Sequence, residues 1–289
     1  MLLEKNTKSS IVFLLFSLCS IISFAQNSTP TKNESKKIKT DSNKGKFYAY
    51  WGWNRASYSN SDIHFKGENY DFTLYDVRAK DRPTKFGIVY FNPGTVTVPQ
   101  TNYRFGYFFK ENYTVSIGVD HMKYVMVQDQ LAIIDGTINT GSVFDNIYSN
   151  NTIMLEEDFL EFEHTDGLNY ISVEVKRFDE FGHLLGINSP NFQLNITEGL
   201  GGGLLYPRTN TTLLGKERYD EFHVAGWGVS ASVGLNITFL KYFFVQSDVK
   251  FGYINMPDIR TTNSVLDTAS QSFTFVQNTL VFGGRFRIF

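Results

Sequence analysis

The chain contains little cysteine and proline and carries almost no net charge. Of its 289 residues only one is cysteine and seven are proline, and the formal net charge is −2. The cysteine, Cys19, lies in an apolar run near the amino terminus, so the rest of the chain has no residue for a disulfide, a metal–thiolate centre or a thiol nucleophile. The near-neutral charge gives no indication of a nucleic-acid partner.

Long apolar runs are also lacking after the amino terminus. No later segment has roughly 18 consecutive apolar residues, which excludes membrane-spanning helices from that part of the chain. Aromatic residues are abundant instead, with 27 phenylalanines and 16 tyrosines. Because aromatic residues favour strands, this composition indicates a β-protein.

The amino-terminal segment has the organisation of a secretory signal. Two lysines precede a largely apolar run at 11–22, and Ser23 and Ala25 are suitable residues for the −3 and −1 positions of a cleavage site. The run is too short to cross a hydrocarbon core about 30 Å thick. We therefore predict a cleaved signal peptide at 1–25, followed by a disordered periplasmic leader at 26–45, which has almost nothing to bury.

Beyond residue 45 the sequence alternates apolar and polar residues with the period of β-strands. Tyr113, Val115 and Ile117 share one face, while the intervening positions carry threonine, serine and glycine. A secreted sandwich would alternate similarly, but aromatic rows such as that of Trp51 and Trp53 are large for a face in water. We expect the apolar face to meet lipid and the polar face to line a lumen. Eight strands fit, at about 46–58, 101–110, 113–128, 168–178, 191–206, 221–239, 242–255 and 272–289.

The connections between these strands alternate in length. Residues 110–112 and 240–241 are minimal turns, whereas 59–100 and 129–167 are long and polar. Outer-membrane barrels have short periplasmic turns and long extracellular loops, and an even strand number brings both termini to the periplasm. The pattern therefore predicts two long extracellular loops and periplasmic termini.

The predicted fold is all-β, an antiparallel up-and-down transmembrane β-barrel over residues 46–289. Eight strands are expected. Ten strands are the alternative, if Tyr70–Ala79 and Phe86–Tyr90 form an extra hairpin in the first long loop.

Charged residues recur on the face assigned to the lumen. A barrel of eight strands fills its interior with side chains and leaves no aqueous channel. Buried charges must be paired or hydrogen-bonded, and the near balance of signs predicts a salt-bridged plug. The predicted members are Arg104, Asp120, Glu174, Lys176, Asp248, Lys250 and Arg285.

The candidate catalytic residues lie at the predicted extracellular lip of two neighbouring strands. His164 and Asp166 are expected near His121, and a histidine–carboxylate pair could activate a water or hydroxyl for ester hydrolysis. A polar shoulder of the loop is the alternative interpretation. No metal site or cofactor is predicted, because the acidic run at 156–163 fits no calcium-loop pattern.

The chain resembles the small outer-membrane barrels of Gram-negative bacteria, including the OmpA-type barrel and the lipid A deacylases. The likeness rests on the signal ending at Ala25, the strand parity and the aromatic last residue, Phe289. The stretch PQTNYRFGYFF from Pro99, with SIGVDHMKYVM after it, looks like a block found in uncharacterised barrels of the Bacteroidota. Lipid A deacylases have a serine two residues after the histidine, where this chain has Asp166. The resemblance therefore does not supply a nucleophile.

These observations favour a non-porin outer-membrane protein with a structural or surface-interaction role, and they do not favour an enzyme. Outer-membrane lipid or lipopolysaccharide is the expected partner, and an envelope protein could bind the extracellular loops. One alternative is a lipid-modifying hydrolase with a site near His164. Another is a barrel subunit of an envelope complex that docks through residues 59–100.

Overall fold

The computed structural model describes residues 42–85, 87–90, 99–187, 189 and 191–288. The predicted signal peptide and all but the last four residues of the predicted leader lie outside the described residues. The helical segments with described bounds are two short 3-10 turns, Ile88–Tyr90 and Gly182–Leu185. None of the helices in the described part is long and apolar enough to cross a membrane.

Nearly all the regular structure described is β-strand. The fourteen strands are β1 (Phe47–Tyr58), β2 (Ser61–Gly67), β3 (Tyr70–Val77), β4 (Ala79–Lys80), β5 (Thr101–Phe108), β6 (Tyr113–Met126), β7 (Gln130–Ile138), β8 (Asn146–Leu155), β9 (Leu160–Glu180), β10 (Phe192–Leu205), β11 (Asn210–Leu213), β12 (Gly226–Phe239), β13 (Phe243–Arg260) and β14 (Thr268–Phe286).

Eight of these strands close into a ring. The order is β1-β5-β6-β9-β10-β12-β13-β14, and β14 pairs back with β1 from Phe47↔Phe286 to Tyr58↔Phe275. Every pairing in the ring is antiparallel. The predicted all-β, up-and-down barrel of eight strands is confirmed. The main difference is that β9 begins at Leu160 rather than near residue 168.

The outer face of the ring is apolar, as expected for a surface in contact with lipid. Its exposed side chains include Phe105, Ile117, Val175, Leu200, Val233, Phe251, Leu280 and Phe282. We refer to this surface as the apolar band. Aromatic residues cluster towards both of its edges, as in the girdles of transmembrane barrels. Those at one edge are Phe47, Tyr107, Tyr113, Phe239, Phe243 and Phe286, and those at the other are Trp53, Tyr103, Tyr206, Trp227 and Tyr253.

The two ends of the ring differ in their connections. At the lower end, tight turns join β5 to β6 and β12 to β13. Only three residues separate the paired Phe239 and Phe243 in the second turn, and Leu240 and Lys241 there both have positive φ, 53° and 68°. The first residue of β1, Phe47, and the last residue of β14, Phe286, also lie at the lower end of the ring.

At the upper end, the segments predicted to be long polar loops contain ordered hairpins. The top of β14 pairs with β2, and the sheet continues through β3 and β7 to β8. In addition, β4 pairs with the top of β6 and β11 with the top of β9. We call β2, β3, β4, β7, β8 and β11 together the cap.

The ten-strand alternative is wrong for the ring. A hairpin does form in the first connection, but it consists of β2 and β3. In the described residues its pairing with the ring is limited to β2 and the start of β14, from Thr268 to Gln271. Phe86 lies outside the described residues, and Ile88–Tyr90 is a 3-10 turn. The extra strands therefore extend the sheet above the ring without widening it.

The interior changes in character from top to bottom. Beneath the cap lies an apolar core whose largest fully buried members are Tyr124, Tyr170, Phe65, Phe72, Phe159 and Phe162. Charged residues fill the middle of the ring. A small aromatic cluster of Tyr48, Phe108, Phe178 and Phe244 fills the lower end. The cap residues are therefore held by apolar packing that includes ring residues.

The cap core should contribute strongly to stability. We expect Phe72→Ala to lower the free energy of unfolding by about 3–5 kcal/mol, because the buried ring leaves a cavity. Val143→Ala at the β7–β8 tip, 92% exposed, is the control and should change it by less than about 0.5 kcal/mol. Urea unfolding followed by tryptophan fluorescence measures both. Equal stability of the two variants would contradict a packed cap.

Candidate functional site

The centre of the ring contains a balanced cluster of six charged side chains. Three are cationic and three are anionic, and each is 4% exposed or less. They come from strands on facing sides of the barrel. The members are Arg104 of β5, Asp120 of β6, Glu174 and Lys176 of β9, and Asp248 and Lys250 of β13.

Glu174 lies between two lysines and links the cluster. Its carboxylate is 3.5 Å from Lys176 Nζ and 3.7 Å from Lys250 Nζ. Lys176 Nζ also lies 3.0 Å from Asp248 Oδ2, while Lys250 Nζ donates to Asp120 Oδ2. Because each lysine has two carboxylate partners, Coulombic attraction offsets the desolvation of these lysines and carboxylates.

Arg104 is held by hydroxyl groups. Its Nε donates to Tyr50 Oη at 3.1 Å, and its Nη2 donates to Ser172 Oγ at 2.9 Å. Its Nη1 donates to Ser116 Oγ at 3.3 Å, so small polar residues on both β6 and β9 act as partners for the guanidinium group.

Arg285 lies apart from these six residues. It contacts the lower aromatic cluster, with its guanidinium carbon 5.5 Å from the Phe108 ring centre and 5.9 Å from those of Phe178 and Phe244. It also donates to Asn236 Oδ1 at 2.9 Å. Within the described ranges it has no carboxylate at ion-pair distance. The arginine predicted to belong to the charge network is therefore stabilised by cation–π contacts.

The charge cluster yields a test by removal and compensation. We expect Lys250→Met to lower the free energy of unfolding by about 3–5 kcal/mol, because it leaves Asp120 and Glu174 short of a counter-charge. Adding Asp120→Asn restores the charge balance and should recover part of the loss. Lys110→Met, on an exposed turn, is the control for a lysine removed elsewhere. A double variant less stable than both single variants would contradict the pairing.

His164 lies inside the barrel, beneath the cap, and not at a loop surface. It is 0% exposed, its Nδ1 is 2.9 Å from Thr209 Oγ1 and its Nε2 is 3.0 Å from Gln271 Nε2. The rings of Tyr124 and Phe162 pack against it. The predicted loop shoulder is therefore wrong for this residue, because β9 is already a strand at that position.

The burial of His164, which lies above the apolar band, makes the stability of the protein depend on pH. Desolvation lowers its pKa from 6.5 to about 3, so the native protein holds the neutral form. The unfolded chain binds the proton more readily than the native protein does. The contribution of neutral His164 to the free energy of unfolding is therefore complete above pH 6.5 and is lost as the pH falls towards 3. Each pH unit below 6.5 should cost about 1.4 kcal/mol.

We expect the wild-type protein to lose stability faster between pH 6.5 and 4.5 than His164→Gln, by about 2–3 kcal/mol over that range. Urea unfolding at several pH values measures the difference. His223→Gln removes a partly exposed histidine that pairs with Asp258 at 2.8 Å, and it is the control. Identical pH slopes for wild type and His164→Gln would contradict the buried neutral state.

His121 and Asp166 face outward, on the other side of the sheet from His164, although His121 is only 9% exposed. Strand alternation places His121 outward next to the inward Asp120. In β9, the pairing with β6 shifts between Met122↔Leu168 and Tyr124↔His164. This irregularity allows Asp166 to face outward although His164 faces inward. The three predicted catalytic residues are therefore not brought together.

His121 and Asp166 line an outward-facing pocket of about 530 Å³ at the top of the apolar band. We call it the rim pocket. Its polar wall includes His121, whose Nδ1 is 2.8 Å from Asn169 Oδ1, and also Lys123. Arg208 closes one side and lies 3.6 Å from Asp166. The apolar wall is formed by Tyr103, Val119, Ile171, Tyr206 and Phe222.

The sequence analysis missed Lys123 and Arg208 as site residues. Strand parity could have identified Lys123, which is two residues beyond His121 and on the same face. Arg208 follows β10 in a connection without a repeating pattern, so only the folded structure brings it to the pocket. In the described residues no group of three or more histidine, cysteine, aspartate or glutamate side chains is arranged to hold a metal.

The similarity of this chain to known proteins is at the level of solved structures. No protein-family model matches the sequence, and no curated protein matches it. Similar solved structures include the outer membrane protein OprG of Pseudomonas aeruginosa, with 12% identity, 86% of this chain and 99% of that chain covered, and a TM-score of 0.38. Neisserial surface protein A is 11% identical, with 85% of this chain and 100% of that chain covered and a TM-score of 0.33. Ail of Yersinia pestis is 13% identical, with 84% of this chain and 99% of that chain covered and a TM-score of 0.29. With TM-scores this low, the strand pairing alone supports the fold.

Proposed function

We propose that this chain is a non-porin outer-membrane β-barrel that displays a folded cap at the cell surface, in a structural or surface-interaction role. The observation that carries the proposal is the continuous filling of the interior. The apolar core, the charge cluster and the lower aromatic cluster succeed one another along the axis. An eight-stranded barrel filled in this way is expected to conduct neither ions nor solutes.

The apolar band supports the membrane location. Its side chains are too extensive and too apolar for a surface in water, and soluble proteins rarely expose such a patch. The aromatic edges are the expected girdles of a barrel in a bilayer. The predicted signal peptide is consistent with the outer membrane as that bilayer.

The proposed orientation follows from the asymmetry of the two ends. Short turns are characteristic of the periplasmic side of outer-membrane barrels, and long connections of the outside. The cap is then extracellular, and the ends of the ring sequence are periplasmic.

The β7–β8 hairpin is the most exposed part of the cap. Leu131, Val143 and Ile147 are exposed apolar side chains on it. β8 ends the strand path, and Asn150, with a φ of 58°, interrupts its free edge. Such an interruption limits edge-to-edge association while side chains stay available to a partner. We propose this hairpin as the contact surface for an envelope or external protein.

A hydrolase centred on His164 is not favoured. The imidazole of His164 is fully buried in an apolar core, where neither a lipid ester nor bulk water has access. Both ring nitrogens already contact Thr209 and Gln271. The placement of His164 supports a structural role.

Cysteine labelling on intact cells tests the location and the orientation together. The only natural cysteine, Cys19, lies in the predicted signal peptide, so an introduced cysteine is unique in the mature chain. We expect Val143→Cys, at the cap tip, to react with a membrane-impermeant maleimide on intact cells. Leu184→Cys, 75% exposed in the lower β9–β10 connection, is the matched control and should react only after lysis. Labelling of both or neither on intact cells would refute the orientation.

A planar-bilayer recording tests the closed lumen. The reconstituted protein should show no steady conductance. A stable open-channel current from the wild type would refute the non-porin proposal.

A further inference from the structure

We propose that the rim pocket binds the headgroup of a phosphate-bearing lipid of the outer leaflet. This proposal rests on the outer-membrane location proposed above. The pocket opens to the outside and lies where the apolar band ends, so its polar and apolar walls match the two parts of an amphiphile. Val119 and Ile171 form the side nearer the band, and His121 and Lys123 lie above them.

Lys123 supplies a positive charge that no carboxylate contacts directly, although Asp166, Asp81 and Glu163 attract it from a longer distance. Its side chain is partly buried, and its Nζ donates to Thr84 Oγ1 at 3.2 Å. Among the described residues it forms no ion pair. A partly desolvated ammonium group gains most from an anion with several acceptor oxygens, which a phosphate supplies.

Arg208 has a different role because carboxylates already balance its charge. Asp220 lies 3.1 Å from its guanidinium group and Asp166 lies 3.6 Å away. These contacts fix the guanidinium at the mouth of the pocket. Arg208 is therefore expected to orient the headgroup, while Lys123 provides the attraction. His121 and Asn169 add neutral hydrogen-bonding groups beside it.

The apolar wall determines that the phosphate belongs to a lipid. Tyr206 and Phe222 stack with ring centres 5.3 Å apart, and both are exposed. Together with Tyr103, which lines the same pocket, they offer apolar contacts to the first carbons of an acyl chain. The volume of about 530 Å³ lies in the range of small-ligand sites and suits a headgroup with the start of its chains.

Native mass spectrometry of the purified protein in a neutral maltoside detergent tests this proposal. The probes are dioleoyl phosphatidylglycerol, dioleoylglycerol without phosphate, and inorganic phosphate as a competitor. We expect one phosphatidylglycerol to bind in preference to dioleoylglycerol, without competition from inorganic phosphate. Lys123→Gln should weaken binding by about tenfold, as expected for one charge-assisted hydrogen bond. Lys110→Gln, at the opposite end of the barrel, should leave it unchanged.

Phe222→Ala tests the apolar wall and should also weaken binding. Phe239→Ala, which removes an exposed ring at the lower edge, is its matched control. Each variant is first checked for a faster-migrating unboiled band on a gel. If Lys123→Gln does not fold, the Phe222 pair and the comparison of the two lipids decide the question.

Three results would overturn the proposal. Equal binding of phosphatidylglycerol and dioleoylglycerol would show that the phosphate is not recognised. Competition by inorganic phosphate alone would identify a site for the free ion. Equal effects of Lys123→Gln and Lys110→Gln would place the lipid elsewhere. The binding assay is performed in detergent, so it is independent of the cysteine labelling that tests the cellular location.

Discussion

Salt bridges across the lumen are the interaction on which the rest of the structure depends. Lys250 on β13 reaches Asp120 on β6, and Lys176 on β9 reaches Asp248 on β13. These strands lie on facing sides of the ring. The contacts hold the walls at a fixed separation, keep the charges out of lipid and close the interior. The apolar exterior and the packed cap are compatible with this closed, narrow cross-section.

Much of the ring follows from the two-residue period alone. A one-residue error would exchange the lipid face and the lumen face of a strand, so a consistent pattern strongly constrains the register. Ile117 outward and Asp120 inward follow directly from this alternation. Pairing partners across the lumen do not follow from it, because Asp120 and Lys250 are 130 positions apart in the sequence. Arg285 shows how far alternation alone can predict contacts. Its positive charge suggested an ion pair, but the structure surrounds it with aromatic rings.

The cap and the candidate site were harder to predict for two physical reasons. Phe65 and Phe72 stand among charged and polar residues in short strands, so the composition of their segment resembles a loop although they bury a core. The irregular pairing in β9 then separates His164 from Asp166, which are only two residues apart. Assigning faces from alternating residues assumes an unbroken strand. One local irregularity changes which side chains of that strand face inward and which face outward. The rim pocket depends on this change and on Arg208 from a distant connection.

The pairing of β1 with β14 has a consequence for how the chain is made. Because Phe47 pairs with Phe286, the ring cannot close before its last strand has arrived. The start of the same strand, from Thr268 to Gln271, also anchors the cap through β2. A chain that ends before β14 therefore lacks both the seam and the cap anchor, and leaves β1 and β13 with unpaired edges open to aggregation. Closure of the ring thus awaits synthesis of β14.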